Sequence, residues 1–439
     1  MDFNLHSFPS SALKGTFLPP GDKSISHRAI ILGSLAEGAT RIERLLEGED
    51  VLRTIGVMRR LGVAIHQESV GVWSVTGVGL DGLREPDDVL DFGNSGTGIR
   101  LMAGVLASQP FLTVLTGDAS LRQRPMGRVV QPLTKMGAHI LGRQGGRLAP
   151  LVIQGGELTP MDYESPVASA QVKTAVLLAG LNTPGQTSVL EPALSRDHTE
   201  RMLTAFGGQL SNTGTRVTVQ GRPSLRGQLI QVPGDFSAAA FLIVAALLVK
   251  GSEILLRGVG INPTRIGLLT LLRRMGGRIE IENERMNGGE PVADLRIFHS
   301  KLSGIQVPVE LIAQTIDEFP IFFIAAAVAE GETVVTEAQE LRVKESDRLA
   351  AMAEGLRRFG VTVEERPDGM SIVGCGRPLA GGCIVDSFTD HRVAMSFLVA
   401  GLVSKEPVTV LRCGNINTSF PTFVQAITQL GGSIVPKGI

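Results

Sequence analysis

Hydrophobic and polar positions follow one pattern that occurs six times along the chain. An apolar residue is followed by two variable residues, a large apolar residue, a glycine, a small residue, a variable residue and a branched apolar residue. Each copy predicts the end of a helix, a glycine in the left-handed conformation and the start of a strand. The six glycines, which are successively 75, 70, 69, 84 and 71 residues apart, are Gly62, Gly137, Gly207, Gly276, Gly360 and Gly431. This near-constant spacing indicates an internal repeat.

An almost wholly apolar segment precedes each copy and predicts a helix that is buried on all sides. A turn and a short strand follow each segment, so we expect each repeat to be a βαβαββ-type unit. The six segments are AIILGSL, LMAGVLA, AVLLAGL, FLIVAALL, FFIAAAV and SFLVAGL. The pattern therefore predicts a fold of the α/β (α+β) class.

The repeats divide into two halves, because one turn motif opens both the first and the fourth repeat. Pro20–Ser24 reads PGDKS and Pro233–Ser237 reads PGDFS, 213 residues later. We expect two similar domains of three repeats each, and the alternative is one continuous solenoid. The expected domains are residues 21–232 and residues 1–20 together with 233–439.

Composition restricts the classes of function. The net charge of −1 and the aromatic content of 4% argue against a nucleic-acid or membrane-surface protein. The three cysteines, Cys375, Cys383 and Cys413, are odd in number and lack CxxC spacing, which predicts free thiols in a reducing compartment. The longest apolar run, 238–249, is too short to span a bilayer, and the N-terminus lacks the pattern of a secretory signal. We therefore expect a cytoplasmic protein.

The segment Pro19–Arg28 is the first candidate binding site. A Pro-Gly turn breaks the chain, and Asp22 or Ser24 then caps an apolar helix. The first turn of that helix offers unpaired N–H groups, the positive end of the helix dipole, and the cations Lys23 and Arg28. Such a combination is typical of a site for phosphate or carboxylate.

Polar motifs also precede the other five buried helices. They read GNSGTGIR, SAQVKT, GDFSAAA, IDEFP and TDHR, and their charged residues include Arg100, Lys173, Asp317, His391 and Arg392. If the two domains face each other, these helix starts converge on one cleft. Such a cleft suits a ligand with several negative charges.

The glycine-rich loop Gly93–Gly98 has the spacing of a nucleotide-binding P-loop. Ile99 and Arg100 follow it, however, where a P-loop requires lysine and serine or threonine. We therefore exclude a P-loop. The glycines still let backbone N–H groups approach an anion closely.

Carboxylates occur within this basic set at Asp317, Glu318 and Glu345. A carboxylate among cations stays ionised and can act as a base. Glu345 lies beside Lys344 and one helical turn before Arg348, so the alternative is an ion-pair ladder on a helix surface. The seven histidines include no tight ligand pair, and we predict no bound metal.

These motifs resemble those of the 5-enolpyruvylshikimate-3-phosphate (EPSP) synthase family, particularly its class II bacterial branch. They occur in the family's order and cover nearly the whole chain. The matching motifs are PGDKSISHR, GNSGTGIR, GDASLRQRPMGR, SAQVKTAVLLAGL, SRDHTERM, RVKESDR and DHR.

The resemblance implies two three-repeat domains with the active site in the cleft between them. It also implies transfer of the enolpyruvyl group of phosphoenolpyruvate to the 5-hydroxyl of shikimate 3-phosphate, with release of phosphate. The implied reaction proceeds by addition and elimination through a tetrahedral intermediate, without metal or organic cofactor. We expect these two small molecules as the partners, no nucleic acid or membrane, and a monomer.

The resemblance also implies roles for individual residues. Those implied to bind shikimate 3-phosphate are Lys23, Ser24, Arg28, Ser169, Gln171, Arg196 and Lys344, and Ala170 is implied to bind substrate. Those implied to bind phosphoenolpyruvate are Lys23, Asn94, Gly96, Arg124, Gln171, Arg348, His391 and Arg392. Asp317 is implied to accept the 5-hydroxyl proton, and Glu345, with Lys23, to deliver a proton to the methylene carbon. Two arginines suit the bidentate recognition of a carboxylate.

Two positions bear on how closely the chain follows the family. Class I members carry a lysine shortly before their last Phe-Pro, whereas Thr418-Ser419 precede Phe420-Pro421 here. Glycine at position 96 is the residue linked to glyphosate sensitivity, because some tolerant members of the family carry alanine there. We therefore expect measurable inhibition by glyphosate.

Two other functions are compatible with parts of the pattern. The enolpyruvyl transferase that acts on UDP-N-acetylglucosamine shares the fold, but it typically has Lys-Asn in place of Lys23-Ser24 and often a loop cysteine as general acid. The loop 115–128 has no cysteine, and we assign Cys383 to packing near a strand. A non-catalytic anion-binding scaffold is the other alternative, but it would not need both Asp317 and Glu345.

Overall fold

The computed structural model describes residues 3–436. Contacts divide the chain into two compact units. The first unit comprises Gly21–Val232 together with Asn287–Glu290. The second unit comprises the N-terminal segment up to Pro20, Pro233–Met286 and the chain from Pro291 onward.

Helices and strands alternate through both units. The helices are α1 (Lys23–Leu35), α2 (Glu49–Arg60), α3 (Gly96–Ala107), α4 (Gly127–Lys135), α5 (Arg143–Gly146), α6 (Ala170–Leu181), α7 (His198–Ala205), α8 (Phe236–Leu248), α9 (Gly267–Arg274), α10 (Ile312–Thr315), α11 (Phe319–Val328), α12 (Arg348–Arg358), α13 (His391–Leu402) and α14 (Phe423–Gln429). The strands are β1 (Leu5–Phe8), β2 (Lys14–Phe17), β3 (Glu37–Glu43), β4 (Ala64–Ser69), β5 (Val72–Val78), β6 (Leu90–Asp91), β7 (Leu112–Thr116), β8 (His139–Gly142), β9 (Leu148–Gln154), β10 (Asp162–Glu164), β11 (Gln186–Leu190), β12 (Leu210–Thr213), β13 (Arg216–Gln220), β14 (Leu229–Gln231), β15 (Glu253–Gly260), β16 (Arg278–Asn287), β17 (Glu290–Phe298), β18 (Glu330–Val335), β19 (Thr362–Arg366), β20 (Gly369–Cys375), β21 (Ile384–Asp386), β22 (Val408–Leu411) and β23 (Ser433–Pro436).

Three small sheets of identical plan form the first unit. Their strand orders are β14-β3-β5-β4, β6-β7-β9-β8 and β10-β11-β13-β12. In each, the first pair is parallel and the other two pairs are antiparallel. The last strand of the unit, β14, pairs with β3 from its first repeat. This pairing closes the three repeats on themselves, which a continuous solenoid would not do.

The second unit follows the same plan. Its strand orders are β16-β17-β15-β2, β18-β20-β19 and β21-β22-β1-β23. The N-terminal strands β1 and β2 complete two of these sheets, so the chain closes this unit as well. In the three-stranded sheet, parallel bridges from Ser303 and Gln306 to β18 take the place of the parallel edge strand. The predicted α/β fold with βαβαββ repeats is confirmed.

The predicted helix ends and buried helices are also confirmed. All six repeat glycines have φ between +75° and +110°, the region that favours glycine. The first helix of each repeat, from α1 and α3 to α13, is buried along nearly its whole length. Asp22 caps α1 and Asp235 caps α8, each by accepting backbone N–H groups, so the two PGDxS motifs have the same local structure.

The tip of the β16–β17 hairpin differs from the predicted domain boundary, because residues 287–290 pack with the first unit. Glu290 Oε1 lies 2.7 Å from His198 Nδ1, and the carbonyl of Gly289 accepts a bond from Arg201 of α7. Within residues 3–436, no helix is long and apolar enough to cross a membrane.

Candidate active site

Helix starts position the polar motifs of the first unit. Asp22, Ser95 and Ser169 are the N-caps of α1, α3 and α6, and each accepts an N–H from the first turn of its helix. The apolar bodies of these helices form the core, so their N-termini are the positions where polar side chains are placed. The positive end of each helix dipole lies at these termini and favours an anion.

Lys23 is the first residue of α1, and its Nζ lies 3.1 Å from Asp50 Oδ2 at the start of α2. Both side chains are largely buried, with exposed fractions of 16% and 9%. The sequence motifs alone assigned no role to this carboxylate. The pair orients the lysine without burying it fully.

Arg28 is a buried cation held by hydroxyl and carbonyl groups. Its Nε donates to Thr199 Oγ1 at 2.7 Å, its Nη2 to Thr174 Oγ1 at 2.9 Å, and its Nη1 to the carbonyl of Ser24 at 2.9 Å. Burial lowers the pKa of Arg28 to about 10, and Glu200 opposes that shift. Arg196 also lowers the pKa of Arg28, because its positive charge disfavours a second one.

The glycine loop before α3 lies against Arg124. Arg124 Nη2 donates to Asn94 Oδ1, and Asn94 Nδ2 donates to Asp118 Oδ2 at 2.7 Å. A Cβ at Gly96 would come within 2.9 Å of Arg124 Nη1 and 3.1 Å of Arg100 Nη1. The absence of a side chain at Gly96 therefore leaves room for two guanidinium groups at the start of α3.

Residues at the start of α6 form hydrogen bonds with the first turns of α3 and with Glu191. Gln171 accepts a bond from Arg100 Nη1 at 2.8 Å and donates to Thr97 Oγ1 at 3.0 Å. Ser169, the N-cap, donates its backbone N–H to Glu191 Oε1 at 3.1 Å. Ala170, the first residue of the helix, is half-buried and offers only its backbone as a polar group.

In the second unit, Arg348 connects three carboxylates. Its Nε donates to Asp390 Oδ2 at 2.8 Å, its Nη2 to Glu345 Oε2 at 2.6 Å, and its Nη1 to Asp317 Oδ1 at 3.4 Å. Arg348 is only 1% exposed, so the alternative of a surface ion-pair ladder is wrong. Burial would raise the pKa of Asp390, but the charges of Arg348 and His391 and the hydrogen bond from Arg348 together hold that pKa below its ordinary value.

Asp317 lies among cations. Arg348 Nη1 is 3.4 Å from its carboxylate, and Lys344 Nζ and Arg265 Nη1 are each 4.0 Å away. Burial lowers the pKa of Lys344, and Asp317 and Glu340 oppose that shift. The carboxylate is 16% exposed, so it remains accessible while its charge is compensated.

Arg392 is held from three sides at the start of α13. Its Nη1 donates to the carbonyl of Asp317 at 2.8 Å and lies 3.4 Å from Glu318 Oε1. Its Nη2 donates to Ser237 Oγ at 3.2 Å. His391 immediately precedes it and is buried. Arg392 thus belongs to the same cluster as Asp317 and Arg348.

The structure therefore brings the predicted residues together in two sets, one in each unit. The first set is rich in cations and helix N-termini, which suits anionic groups. The second set holds two carboxylates, Asp317 and Glu345, on one arginine, which suits proton transfer beside an anion. Sequence reasoning missed the supporting carboxylates of these sets, which are Asp50, Glu191, Glu200 and Asp390. Their signal is weak, because single acidic residues near caps are common.

Comparisons with known proteins identify the family of the chain. A model of the EPSP synthase (3-phosphoshikimate 1-carboxyvinyltransferase) family matches residues 8–427. The 3-phosphoshikimate 1-carboxyvinyltransferase of Magnetococcus marinus is 61% identical over 427 residues, which are 97% of this chain and 96% of that protein. The corresponding protein of Alkalilimnicola ehrlichii is 56% identical over 427 residues, which are 97% and 95% of the two chains.

Solved structures show which class of protein has this fold. The enolpyruvyl transferase NikO from Streptomyces tendae shares the fold, with a TM-score of 0.78 at 17% identity over 100% of this chain and 99% of that chain. EPSP synthase from Acinetobacter baumannii matches with a TM-score of 0.89 at 46% identity over 99% of this chain and 100% of that chain. The fold is thus that of the enolpyruvyl transferases. Within that class, the chain belongs to the EPSP synthase family.

Proposed function

We propose that the chain transfers the enolpyruvyl group of phosphoenolpyruvate to the 5-hydroxyl of shikimate 3-phosphate and releases phosphate. Membership of the EPSP synthase family supports the reaction. The observation that carries the mechanism is the contact of one buried guanidinium, that of Arg348, with both Asp317 and Glu345. Two carboxylates held on one cation provide a base and an acid for a reaction that moves two protons.

Most of the residues that we propose to recognise shikimate 3-phosphate belong to the first unit. Arg28 and Arg196 supply positive charge, and Ser169 supplies the hydroxyl and helix start of α6 to the phosphate. Lys23 and Ser24 hold the same substrate from the start of α1. Lys344, Ala170 and Gln171 complete the set, and Gln171 contacts both substrates.

Phosphoenolpyruvate carries a phosphate and a carboxylate, and separate groups recognise the two. Arg124 binds the phosphate beside Asn94 and the open space at Gly96. Arg348 and Arg392 bind the carboxylate, with His391 lining that position. The planar, forked guanidinium suits both anions better than a lysine would.

Two proton transfers convert the substrates into the tetrahedral intermediate. Asp317 takes the proton of the 5-hydroxyl as its oxygen bonds to the second carbon of phosphoenolpyruvate. Glu345, assisted by Lys23, gives a proton to the methylene carbon, which becomes a methyl group. In the second half, that methyl group returns a proton to Glu345 as the C–O bond to phosphate breaks, the leaving phosphate takes the proton held by Asp317, and the enol ether forms. Protons and charge balance over the two halves without a metal or organic cofactor.

Transfer to UDP-N-acetylglucosamine is not favoured. None of the three cysteines lies in the loop 115–128, where that reaction would place its general acid. Cys383 directly precedes β21 and packs against the core of the second unit. The family match and the named relatives also favour shikimate 3-phosphate as the acceptor. A cytoplasmic location and a monomeric state remain predictions.

Turnover in deuterium oxide tests the addition–elimination step. Protonation of the methylene carbon makes a CH2D group, so elimination is expected to leave deuterium in the vinyl group of the product. Mass spectrometry and proton NMR of the product measure both the transfer and the label. A product formed without vinyl deuterium would contradict protonation at carbon, and no product at all would contradict the transfer.

A further inference from the structure

Lys173 is a buried cation that none of the proposed substrate contacts uses. It lies on α6 and is only 2% exposed. Its Nζ is 2.9 Å from Glu191 Oε2 and 2.8 Å from Glu200 Oε1, and both glutamates are also buried. Burying an ionic triad gives little net stability compared with apolar residues of similar volume, so stability alone does not account for it.

Glu191 connects Lys173 to two segments that take part in the proposed phosphate recognition. Its Oε1 accepts the backbone N–H of Ser169, the N-cap of α6, at 3.1 Å. Its Oε2 accepts the hydroxyl of Ser195 at 2.9 Å. Ser195 directly precedes Arg196 in the chain. One carboxylate thus fixes the backbone at Ser169 and the segment that carries Arg196.

Glu200 connects Lys173 to Arg28 through neighbouring positions on two helices. Thr174 follows Lys173 on α6, and Thr199 precedes Glu200 on α7. The two threonine hydroxyls lie 2.6 Å apart, and both accept bonds from Arg28. The Lys173–Glu200 ion pair is therefore adjacent in sequence, on both helices, to the two threonines that orient Arg28.

Charge balance indicates what Lys173 does for the site. The two cations, Lys173 and Arg28, and the two anions, Glu191 and Glu200, together carry no net charge. Without Lys173, two buried carboxylates would remain with Arg28 as their compensating cation in this group. Arg28 would then be drawn toward Glu200, and the carboxylates would repel an incoming phosphate.

We propose that Lys173 is a positioning residue for the phosphate of shikimate 3-phosphate, acting through Glu191 on Ser169 and Arg196 and through Glu200 on Arg28. This inference rests on the proposed function. It predicts a defect specific to the phosphate group. A merely structural role predicts instead that all ligands lose affinity, or that only stability changes.

Calorimetric titration of Lys173→Met with shikimate 3-phosphate and with shikimate tests this specificity. Methionine keeps an unbranched chain of similar length but removes the charge. We expect the Kd of shikimate 3-phosphate to rise about tenfold or more. Loss of the ion pairs of Lys173 with Glu191 and Glu200 would misplace the groups that make charge-assisted contacts with the phosphate. The Kd of shikimate, the KM of phosphoenolpyruvate and kcat at saturating substrates are expected to change much less.

Two further variants separate positioning from general destabilisation. Val176→Ala removes buried apolar volume from the same helix but keeps Lys173 and both glutamates, and it is expected to lower stability without selective loss of phosphate recognition. Lys173→Met combined with Glu200→Gln removes one cation and one anion. It is expected to bind shikimate 3-phosphate more tightly than Lys173→Met alone but less tightly than the wild type. If the single variant does not fold, the affinities for shikimate 3-phosphate and shikimate are compared in this double variant instead.

The outcomes are distinct. Unchanged preference for shikimate 3-phosphate over shikimate in Lys173→Met, or in the double variant if only that one folds, would overturn the inference. The same selective loss in Val176→Ala would overturn it as well. If the wild type neither binds nor turns over shikimate 3-phosphate, the proposed function itself is overturned, and the inference falls with it.

Discussion

Arg348 and Asp390 form an ion pair whose partners are 1% and 0% exposed, with 2.8 Å between Nε and Oδ2. Asp390 is the N-cap of α13, and Arg348 is the first residue of α12. The pair therefore joins the starts of two helices. It leaves the outer nitrogens of Arg348 directed at Asp317 and Glu345. A structural ion pair thus orients the cation that holds both proposed proton-transfer groups.

Asp390→Asn is predicted to destabilise the protein by roughly 3 kcal/mol, because Arg348 loses its fully buried counter-charge. Asparagine still caps a helix, so the loss reports on the ion pair and not on the cap. Denaturant unfolding followed by circular dichroism measures the change in the free energy of unfolding.

Asp347→Asn is the matched control. Asp347 caps α12 and pairs with Arg342 at 2.8 Å, but its side chain is 40% exposed. An exposed pair contributes at most about 1 kcal/mol, so this variant should lose little stability. Equal losses in the two variants would contradict the importance of the buried pair.

Much of the fold was predictable from sequence because its signals are local. The glycine at each helix end needs a positive φ, and the all-apolar helices need burial on every side. Six copies of this pattern reinforced each other. The tip of the β16–β17 hairpin, in contrast, packs on α7 through Glu290 and His198, which are 92 residues apart. No local pattern specifies such a contact.

The candidate site was predictable only in part, for a related reason. Residues such as Arg28 and Arg348 lie in motifs whose composition indicates anion binding. Asp390, which pairs with Arg348, and Glu200, whose charge opposes the effect of burial on Arg28, are acidic residues near helix starts, where acidic residues are common for capping alone. Their roles depend on which helices lie side by side, and that information is absent from the motif itself.

Asp317→Asn is predicted to retain binding of shikimate 3-phosphate while turnover falls by about 100-fold or more, because asparagine cannot accept the hydroxyl proton. Glu340→Gln is the control, since Glu340 also lies near Lys344, at 3.7 Å, but has no proposed role. Calorimetry and steady-state kinetics measure binding and turnover separately. Unchanged turnover in Asp317→Asn would remove its proposed role as base.

Gly96→Ala is predicted to raise the KM of phosphoenolpyruvate by about tenfold, because the added Cβ forces the guanidinium groups of Arg124 and Arg100 to move. Gly156→Ala is the control, since its Cβ would meet no atom within 4 Å. We further expect glyphosate to inhibit the wild type and to inhibit Gly96→Ala less. Inhibition curves that coincide for these two proteins would contradict the prediction.

His27 is predicted to make stability depend on pH below 6.5. Burial, with help from Lys23 and Arg28, lowers its pKa well below the ordinary 6.5. The unfolded chain therefore takes up a proton as pH falls below 6.5, whereas the folded chain does not. Stability is present above this pH and is lost below it, by up to about 1.4 kcal/mol per pH unit.

Denaturant unfolding at pH 7, 6 and 5 measures this dependence. His27→Gln should show a flatter profile than the wild type, because glutamine does not titrate. His66→Gln, at an exposed position, should keep the wild-type profile. Parallel profiles for the wild type and His27→Gln would show that His27 does not titrate as predicted.

The most direct measurement is phosphate release from phosphoenolpyruvate with each of two acceptors, shikimate 3-phosphate and UDP-N-acetylglucosamine, with no metal added. We predict release with shikimate 3-phosphate alone. Release with the UDP-sugar alone would assign the chain to the other enolpyruvyl transferase reaction. Release with neither acceptor, from protein shown to be folded, would contradict enolpyruvyl transfer and favour an anion-binding scaffold.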